Sequence, residues 1–357
     1  MSTFLAMPRL RLEPSTVTSP GVDAPRRLED TFGRVATDLR VSLTDRCNLR
    51  CTYCMPAEGL DWMPGDEVLT DDEILRLISV GVTKLGITTV RLTGGEPLLR
   101  KNLEQLVADI AALRPSPSIA LTTNGIGLAT RAERLVDAGL KRINVSMDTL
   151  DPETFKQLTR RPRLHDVMAG IRAARRAGLN PVKINTVLMR GVNDHEVVDL
   201  VRWAVEEGVQ LRFIEQMPLD AQHAWERTEM ITAAEIHERL GQHMRLVEDP
   251  EDARARGSAP AELFRIEGTD ASVGIIAAVS KPFCGSCDRV RLTADGQVRN
   301  CLFARSESDL RAPLRAGASD DQLADLWVTA VLGKRAGHGI DDPSFLQPDR
   351  PMSAIGG

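Results

Sequence analysis

The chain predicts an α/β fold: an open, partial TIM-like barrel of six βα units, with a smaller C-terminal β-rich lobe covering the barrel mouth. Three observations predict it. From Asp38 onward, short β-branched runs alternate with amphipathic stretches whose apolar residues recur at three- and four-residue steps, the pattern of strands joined by crossover helices in a parallel sheet. The alternation repeats six times and stops, short of the eight strands that close a barrel, so one side is left open. After Met217 the rhythm changes to short strands with little helix between them.

The elements follow in order. Residues 1–25 carry Pro8, Pro14, Pro20 and Pro25 among scattered Ser and Thr with no sustained period, and are expected as a disordered leader. Residues 26–230 hold the barrel. Its strands are expected at Leu39–Leu43, Thr89–Leu92, Ile119–Thr122, Arg142–Ser146, Val182–Leu188 and Gln210–Glu215. The intervening helices are expected at Thr70–Leu85, Leu103–Leu113, Arg131–Ala138, Leu164–Ala177 and Asp194–Glu207, each with Gly or Asn near its end. The second section, 231–345, opens with a helix near Ala233–Leu240. A polar linker at Asp249–Pro260 then leads to strands at Leu263–Glu267, Val273–Val279, Val290–Leu292 and Gln297–Cys301. Residues 346–357 are expected as a flexible tail ending in Gly356-Gly357.

Bulk composition narrows the function classes. A length of 357 residues suits one α/β barrel with an appendage. A net charge of -5 argues against sequence-independent binding of nucleic acid, which needs many phosphate-neutralising cations. No apolar run reaches the roughly 18–20 residues that span a bilayer, and the first residues lack the apolar segment and cleavage site of a secretory signal. The cytoplasm is therefore the expected compartment, with no membrane partner.

Six cysteines fall into two groups of three: Cys47, Cys51 and Cys54, then Cys284, Cys287 and Cys301. Disulfides do not suit a reducing compartment or an odd group size. Three thiolates on a four-iron cube leave one iron without a protein ligand, a place for exogenous chemistry. The spacing also admits a zinc site with one distant His, or thiols buried as small apolar groups. The nearest His to the first group is His165. The second group taken alone also reads as half a zinc ribbon.

The run Cys47-Asn48-Leu49-Arg50-Cys51-Thr52-Tyr53-Cys54 resembles the signature of the radical S-adenosylmethionine superfamily. With Cys284-Gly285-Ser286-Cys287 and Cys301 it resembles, more narrowly, the GTP 3',8-cyclase family of molybdenum-cofactor biosynthesis. Similarity runs from about Arg27 to the last residue and includes the segments 182–187 and 211–215. The resemblance implies the radical S-adenosylmethionine fold and two [4Fe-4S] clusters. The first, on Cys47, Cys51 and Cys54, is expected to bind S-adenosylmethionine and yield a 5'-deoxyadenosyl radical. The second, on Cys284, Cys287 and Cys301, is expected to hold the guanine base of GTP. The radical takes the ribose C3' hydrogen, and the carbon radical then attacks C8 of guanine. A lyase, or cyclase, with GTP as substrate is what the family implies.

Polar residues collect where the strands end, which is where ligands gather in such sheets. Strand two ends in Thr93-Gly94-Gly95-Glu96-Pro97, whose glycines suit either a tight turn or close approach of backbone to a ligand. The other endings, Thr122-Thr123-Asn124-Gly125, Ser146-Met147-Asp148 and Glu215-Gln216-Met217, read singly as caps, turns and core. The resemblance assigns Tyr53, Gly95, Ser146 and Met217 to the S-adenosylmethionine site and Thr122 to the substrate.

A triphosphate needs several cations. Arg40, Arg91, Lys183 and Arg212 lie within expected strands between apolar neighbours, so they are expected to point inward; singly, each also reads as a surface charge. Arg289 and Arg291 are two apart and share a face beside the second trio. The family's GTP-binding set matches these six residues together with Val290, and the resemblance assigns Arg289, Arg291, Gly356 and Gly357 to catalysis. It also implies a downstream cyclic pyranopterin monophosphate synthase, an electron donor such as flavodoxin or ferredoxin, and a homodimer. Lys334 and His338 receive no role. A peptide-modifying radical enzyme with an auxiliary cluster, or a zinc-stabilised binding protein without catalysis, are the alternatives.

Overall fold

The computed structural model describes residues 26–248 and 256–356. The expected leader, part of the 249–260 linker and Gly357 lie outside these residues. Six strands run parallel and adjacent in chain order: β1 (Asp38–Ser42), β2 (Thr89–Thr93), β3 (Ser118–Thr123), β4 (Arg142–Ser146), β5 (Val182–Val187) and β6 (Gln210–Ile214). These are the six expected strands, shifted by at most a residue or so at their ends. Between them come α1 (Asp71–Leu85), α2 (Leu103–Ala112), α3 (Ala132–Asp137), α4 (Pro152–Thr159), α5 (Leu164–Arg176) and α6 (Val197–Glu206). Helix α4 is absent from the sequence reading, although Asp151 caps it from Thr154 N and Pro152 occupies its first turn, both ordinary start signals.

The C-terminal strands take a form that the sequence reading did not foresee. After α7 (Ala233–Gly241), strands β7 (Leu246–Glu248), β8 (Glu262–Ile266) and β9 (Ser272–Ile276) extend the barrel sheet beyond β6. Strands β10 (Arg289–Leu292), β11 (Gln297–Arg299) and β12 (Ser308–Asp309) extend it beyond β1. The result is one unclosed sheet in the order β12-β11-β10-β1-β2-β3-β4-β5-β6-β9-β8-β7. The β-rich section is thus continuous with the barrel rather than a separate sheet. Physically, β1 and β6 are the two bare edges of a six-stranded partial barrel, and β10 and β9 satisfy their unpaired backbone groups.

The chain also continues beyond the last expected strand, through α8 (Arg311–Arg315), α9 (Asp320–Leu332) and α10 (Met352–Ile355). Helix α9 starts with a reciprocal Ser319–Gln322 cap and buries Leu323, Ala324, Trp327, Ala330 and Val331. It packs beside α1, which begins with its own Thr70–Glu73 capping box and ends at Gly86 in the left-handed region.

Strand alternation divides the sheet into two faces. Leu39, Val41, Val90, Leu92, Ile119, Leu121, Ile143, Val145, Ile184, Leu211 and Phe213 are fully buried and belong to the main apolar core with the helices. Residues between them in sequence, including Arg40, Arg91, Asn144, Lys183 and Arg212, line the barrel interior. Among the described residues no helix is long and apolar enough to cross a membrane.

Candidate active site

The interior holds a cavity of about 380 Å³ lined by seven cations from the sheet: Arg40, Arg91, Arg142, Lys183, Arg212, Arg289 and Arg291. Register explains the crowding. Arg291, Arg40 and Arg91 are direct cross-strand neighbours, and only Ala120 separates Arg91 from Arg142 in the same row. Arg212 lies beside Asn185, whose Oδ1 accepts from its Nη2 at 2.7 Å, and opposite Gly274, where a Cβ would come within 2.8 Å of the arginine stem. The Nε groups of all six arginines are buried without a hydrogen-bond partner. Asp38 is the carboxylate nearest to Arg91, at 4.0 Å, and its own Oδ1 is also unpartnered.

Burial first, and neighbouring cations after it, lower the proton affinity of Arg40, Arg91, Lys183, Arg212 and Arg291. Lys183 is pushed down to about 8 by burial and by Arg212, Arg142 and Arg91. Arg212 falls to about 9 and Arg291 to about 10, with Arg289 among the repelling neighbours of both. Arg40 lies well below the usual arginine range, from burial and then Arg291 and Arg289. Such a collection of desolvated like charges is unfavourable unless an anion completes it.

The second cysteine trio closes one side of this cavity, all three side chains lining it. Arg289 stacks over the Phe283 ring at 4.7 Å and donates to the carbonyl of Ser258 at 2.8 Å, placing the 256–260 segment at the rim. Buried Lys334 donates to the carbonyls of Cys287 (3.0 Å) and Arg289 (2.9 Å). Arg34, paired with Asp30, donates to the carbonyl of Cys284 at 2.7 Å. Burial raises the Cys287 thiol, but Lys334 and Arg289 outweigh it and leave it below the ordinary range. Burial raises Cys284.

The first trio stands on the loop that leaves β1. Burial pushes Cys47 up to about 11 and Cys54 up to about 12, and raises Cys51 well above the usual thiol range. These thiols hold their protons until a cationic centre takes their place. Among the described residues no three His, Cys, Asp or Glu side chains converge tightly enough to hold one metal ion. Each trio supplies three thiols, the ligand type of an iron–sulfur cube with one iron left open.

The glycine pair after β2 presses against this loop. Added Cβ atoms would lie 2.5 Å from the Thr44 carbonyl at Gly94, and 2.2 Å from the Arg46 carbonyl at Gly95. Gly95 N and Glu96 N donate to those two carbonyls at 2.7 Å each. Glu96 is wholly buried, accepts from Leu98 N, Thr123 Oγ1 and Asn124 N, and is raised to about 7 by burial despite those bonds. Asn124 in turn donates to Asn48 Oδ1 at 2.6 Å and reaches Cys47 Sγ at 3.8 Å. Tyr53 donates to Asp148 at 2.6 Å, tying the other end of the loop to the end of β4; burial raises Asp148 to about 6.

The C-terminal segment joins the two trios. Rather than lying loose, residues 352–356 pack inward, which corrects the expectation of a flexible tail for this stretch. Ile355 is fully buried with Leu219 and Phe303, next to Met217 and Cys301. Buried Ser353 lies against the Cys54 thiol, and Met352 lines the cavity. Gly356, at φ 73°, sits where a Cβ would be 2.5 Å from Ser42 Oγ and 2.7 Å from Thr93 Cγ2. Apolar burial of Ile355 and Met352 anchors a stretch that composition alone marks as mobile.

Of the expected residues, Arg40, Arg91, Thr122, Lys183, Arg212, Met217, Arg289, Arg291, Cys284, Cys287 and Cys301 line one cavity. Tyr53 and the first trio gather on the adjoining loop with Gly95 packed against it, and Ser146 ends β4 beside Asn185. Val290 does not join them: its side chain lies in the apolar core on the opposite face of β10 from Arg289 and Arg291, leaving only its backbone for a ligand. Arg142, Asn144 and Asn185 were missed. The alternation that marks Arg40 would have found Asn144, which lies between buried Ile143 and Val145, and Arg142 and Asn185 share the inward phase of their strands with Asn144 and Lys183. Glu96, Asp148 and Lys334 form bonds across long sequence separations that no local signal announces.

Comparison with known proteins agrees with this geometry. Residues 41–204 match the Radical SAM superfamily model and residues 209–340 match the Molybdenum Cofactor Synthesis C model. Solved structures of similar fold include Streptococcus suis SuiB bound to S-adenosylmethionine (13% identity, TM-score 0.58, 87% of this chain and 70% of that one). Another is anSMEcpe with bound AdoMet (16%, 0.57, 85% and 79%). Curated relatives are much nearer in sequence. A GTP 3',8-cyclase from Streptomyces coelicolor is 61% identical over 92% of this chain and 96% of its own length, and GTP 3',8-cyclase 2 from Mycobacterium tuberculosis is 54% identical over 99% of each. The chain belongs to the GTP 3',8-cyclase family, within the radical S-adenosylmethionine superfamily.

Proposed function

We propose that the chain is a radical S-adenosylmethionine lyase that converts GTP to (8S)-3',8-cyclo-7,8-dihydroguanosine 5'-triphosphate, the first step of molybdenum-cofactor biosynthesis. One observation carries the reading. The cavity crowds seven strand cations against two carboxylates, Asp38 and Asp288, is closed on one side by three thiols, and meets the tail that reaches Cys54 of the other trio. A triphosphate is the polyanion that such a set accommodates, and its binding offsets the repulsion already built into the site.

When bound, a [4Fe-4S] cluster on Cys47, Cys51 and Cys54 supplies the electron that cleaves S-adenosylmethionine, and a second on Cys284, Cys287 and Cys301 offers an open iron to guanine. The protein's share is positioning. Arg40, Arg91, Lys183, Arg212, Arg289 and Arg291 clamp the triphosphate, with Arg142 added from the same row. Thr122 accepts from Asn144 at 3.3 Å, which leaves its own hydroxyl proton for a substrate oxygen. Ile214, Met217, Ile276 and Ala278 form an apolar wall that keeps water from a radical. Gly94 and Gly95 offer backbone, and Ser146 and Tyr53 polar groups, to S-adenosylmethionine. Gly356 threads between the ends of β1 and β2, where a side chain would clash. Holding C3' of the ribose and C8 of guanine in one geometry is the main rate contribution of such a cage.

In this reading residues 26–230 generate the radical and residues 231–345 carry the second cluster. The product passes to a cyclic pyranopterin monophosphate synthase, electrons come from a flavodoxin or ferredoxin, and the enzyme works in the cytoplasm as a homodimer. Anaerobic reconstitution should load about eight irons per chain. Incubation with GTP, S-adenosylmethionine and dithionite should then yield 5'-deoxyadenosine and the cyclised nucleotide in equal amounts. Cyclised product without 5'-deoxyadenosine, or 5'-deoxyadenosine with GTP untouched, would reject the reading.

A further inference from the structure

We propose that Lys334 sets the reduction potential of the second cluster and makes it the easier of the two to reduce. The inference rests on the assignment of that cluster to Cys284, Cys287 and Cys301. Lys334 follows the end of α9 and is 5% exposed. Its ammonium donates to the carbonyls of Cys287 and Arg289 at 3.0 and 2.9 Å, and its third direction faces Cys287 Sγ at 3.6 Å. Among the described residues no carboxylate pairs with it. A buried ammonium without a counter-ion is costly, and an anionic thiolate-ligated cluster is the group here that relieves the cost.

The first trio is served differently at its sulfurs. Cys47 Sγ accepts from Leu49 N at 3.5 Å and from Asn124 Nδ2 at 3.8 Å, both neutral donors, while the nearby cation, Arg50, donates to the Cys47 carbonyl at 2.7 Å. Adding an electron makes a cluster more negative. A cation and a charge-assisted N–H···S bond stabilise that reduced form more than neutral amides and hydroxyls do, so they raise the potential. Arg289, two residues after Cys287 and itself an acceptor of Lys334 through its carbonyl, and Arg291 add to the asymmetry from β10. Lys334 is a positioning residue: it touches the ligand Cys287 and acts on the cluster through that sulfur.

The test is a redox titration of the full-length, anaerobically reconstituted protein, followed by electron paramagnetic resonance. S-adenosylmethionine and GTP are added separately to distinguish the two signals. In Lys334→Gln, which keeps a donor but removes the charge, about eight irons should remain. The second midpoint should fall by about tenfold in the reduction equilibrium, or ~59 mV for a one-electron couple. The first midpoint should hold, and Lys334→Arg should stay near the unaltered protein. The proposal is overturned if both midpoints stay put in fully loaded Lys334→Gln, or if both fall together. Loss of four irons from Lys334→Gln would also overturn it, because the lysine would then build the loop rather than tune it. If the unaltered protein itself holds only about four irons, the second-cluster assignment fails and the role of Lys334 falls with it.

Discussion

Gly95 and Gly285 are both small residues beside the cysteine trios, yet their surroundings differ. A Cβ at Gly95 would enter the carbonyls of Arg46 and Asp45 at 2.2 and 2.5 Å, whereas one at Gly285 meets nothing within 4 Å. Gly95→Ala should therefore displace the loop bearing Cys47, cost about 1–3 kcal/mol, and reduce iron loading on the first trio. Gly285→Ala should load normally, and iron analysis of the two variants compares them directly. The cations make a second residue-scale case. Arg212 is buried, repelled by Arg91 and Arg289, and has an unpartnered Nε. Arg212→Met should leave the ligand-free protein as stable or more so, while weakening GTP binding by about 10- to 100-fold. Thermal unfolding and equilibrium binding separate the two effects.

Lys183 gives the site a pH dependence. Burial and neighbouring arginines bring it down to about 8, so the charge proposed to meet the triphosphate is present below that pH and is lost as pH rises through it. GTP affinity should decline above about pH 8 and should hold in Lys183→Arg. Stability of the ligand-free protein has the opposite sign. Between about 8 and the unperturbed 10.5 the unfolded chain binds the proton more readily, so this group's penalty is relieved as pH rises across that window.

At the scale of elements, the C-terminal helix α10 and Gly356 carry the sharpest prediction. Ile355 and Met352 supply the anchoring burial, and Gly356 supplies the reach to Ser42 and Thr93. Removing Gly356 and Gly357 leaves that anchor in place. Such a chain should hold both clusters and bind S-adenosylmethionine, yet cyclise GTP roughly 10²-fold more slowly, the scale of loss expected when reacting groups are misplaced by about 1 Å. Cyclisation at the full rate would remove the tail from the mechanism. Helix α4 and helix α9 show how local signals were legible but unused: each has a side-chain N-cap of the ordinary type. The inward packing of α10 had no such signal, because it depends on an apolar niche made by Leu219 and Phe303, far away in sequence.

The whole molecule is one sheet whose two outer edges are built from the last third of the chain. Strands β10 and β9 bracket the barrel, so the second trio is fixed to the same framework as the first. Loss of the metal centres should therefore leave the framework standing. After chelation, hydrogen exchange should remain slow in β1–β6 and accelerate in the segments 44–63 and 280–305, which carry the trios. Uniform acceleration across β1–β6 would mean that the clusters hold the fold together.

The sequence by itself determined the βα rhythm, the two cysteine trios and the inward direction of the strand cations, because each is written in spacing of two, three or four residues. Tertiary structure alone decided the rest. It joined the C-terminal strands to both barrel edges and aligned Arg291, Arg40, Arg91 and Arg142 in one row. It also drew Glu96, Asp148, Lys334 and Gly356 to the trios. Pairing register and contacts between distant segments are set by the burial and hydrogen bonding of the complete chain, and no local period encodes them.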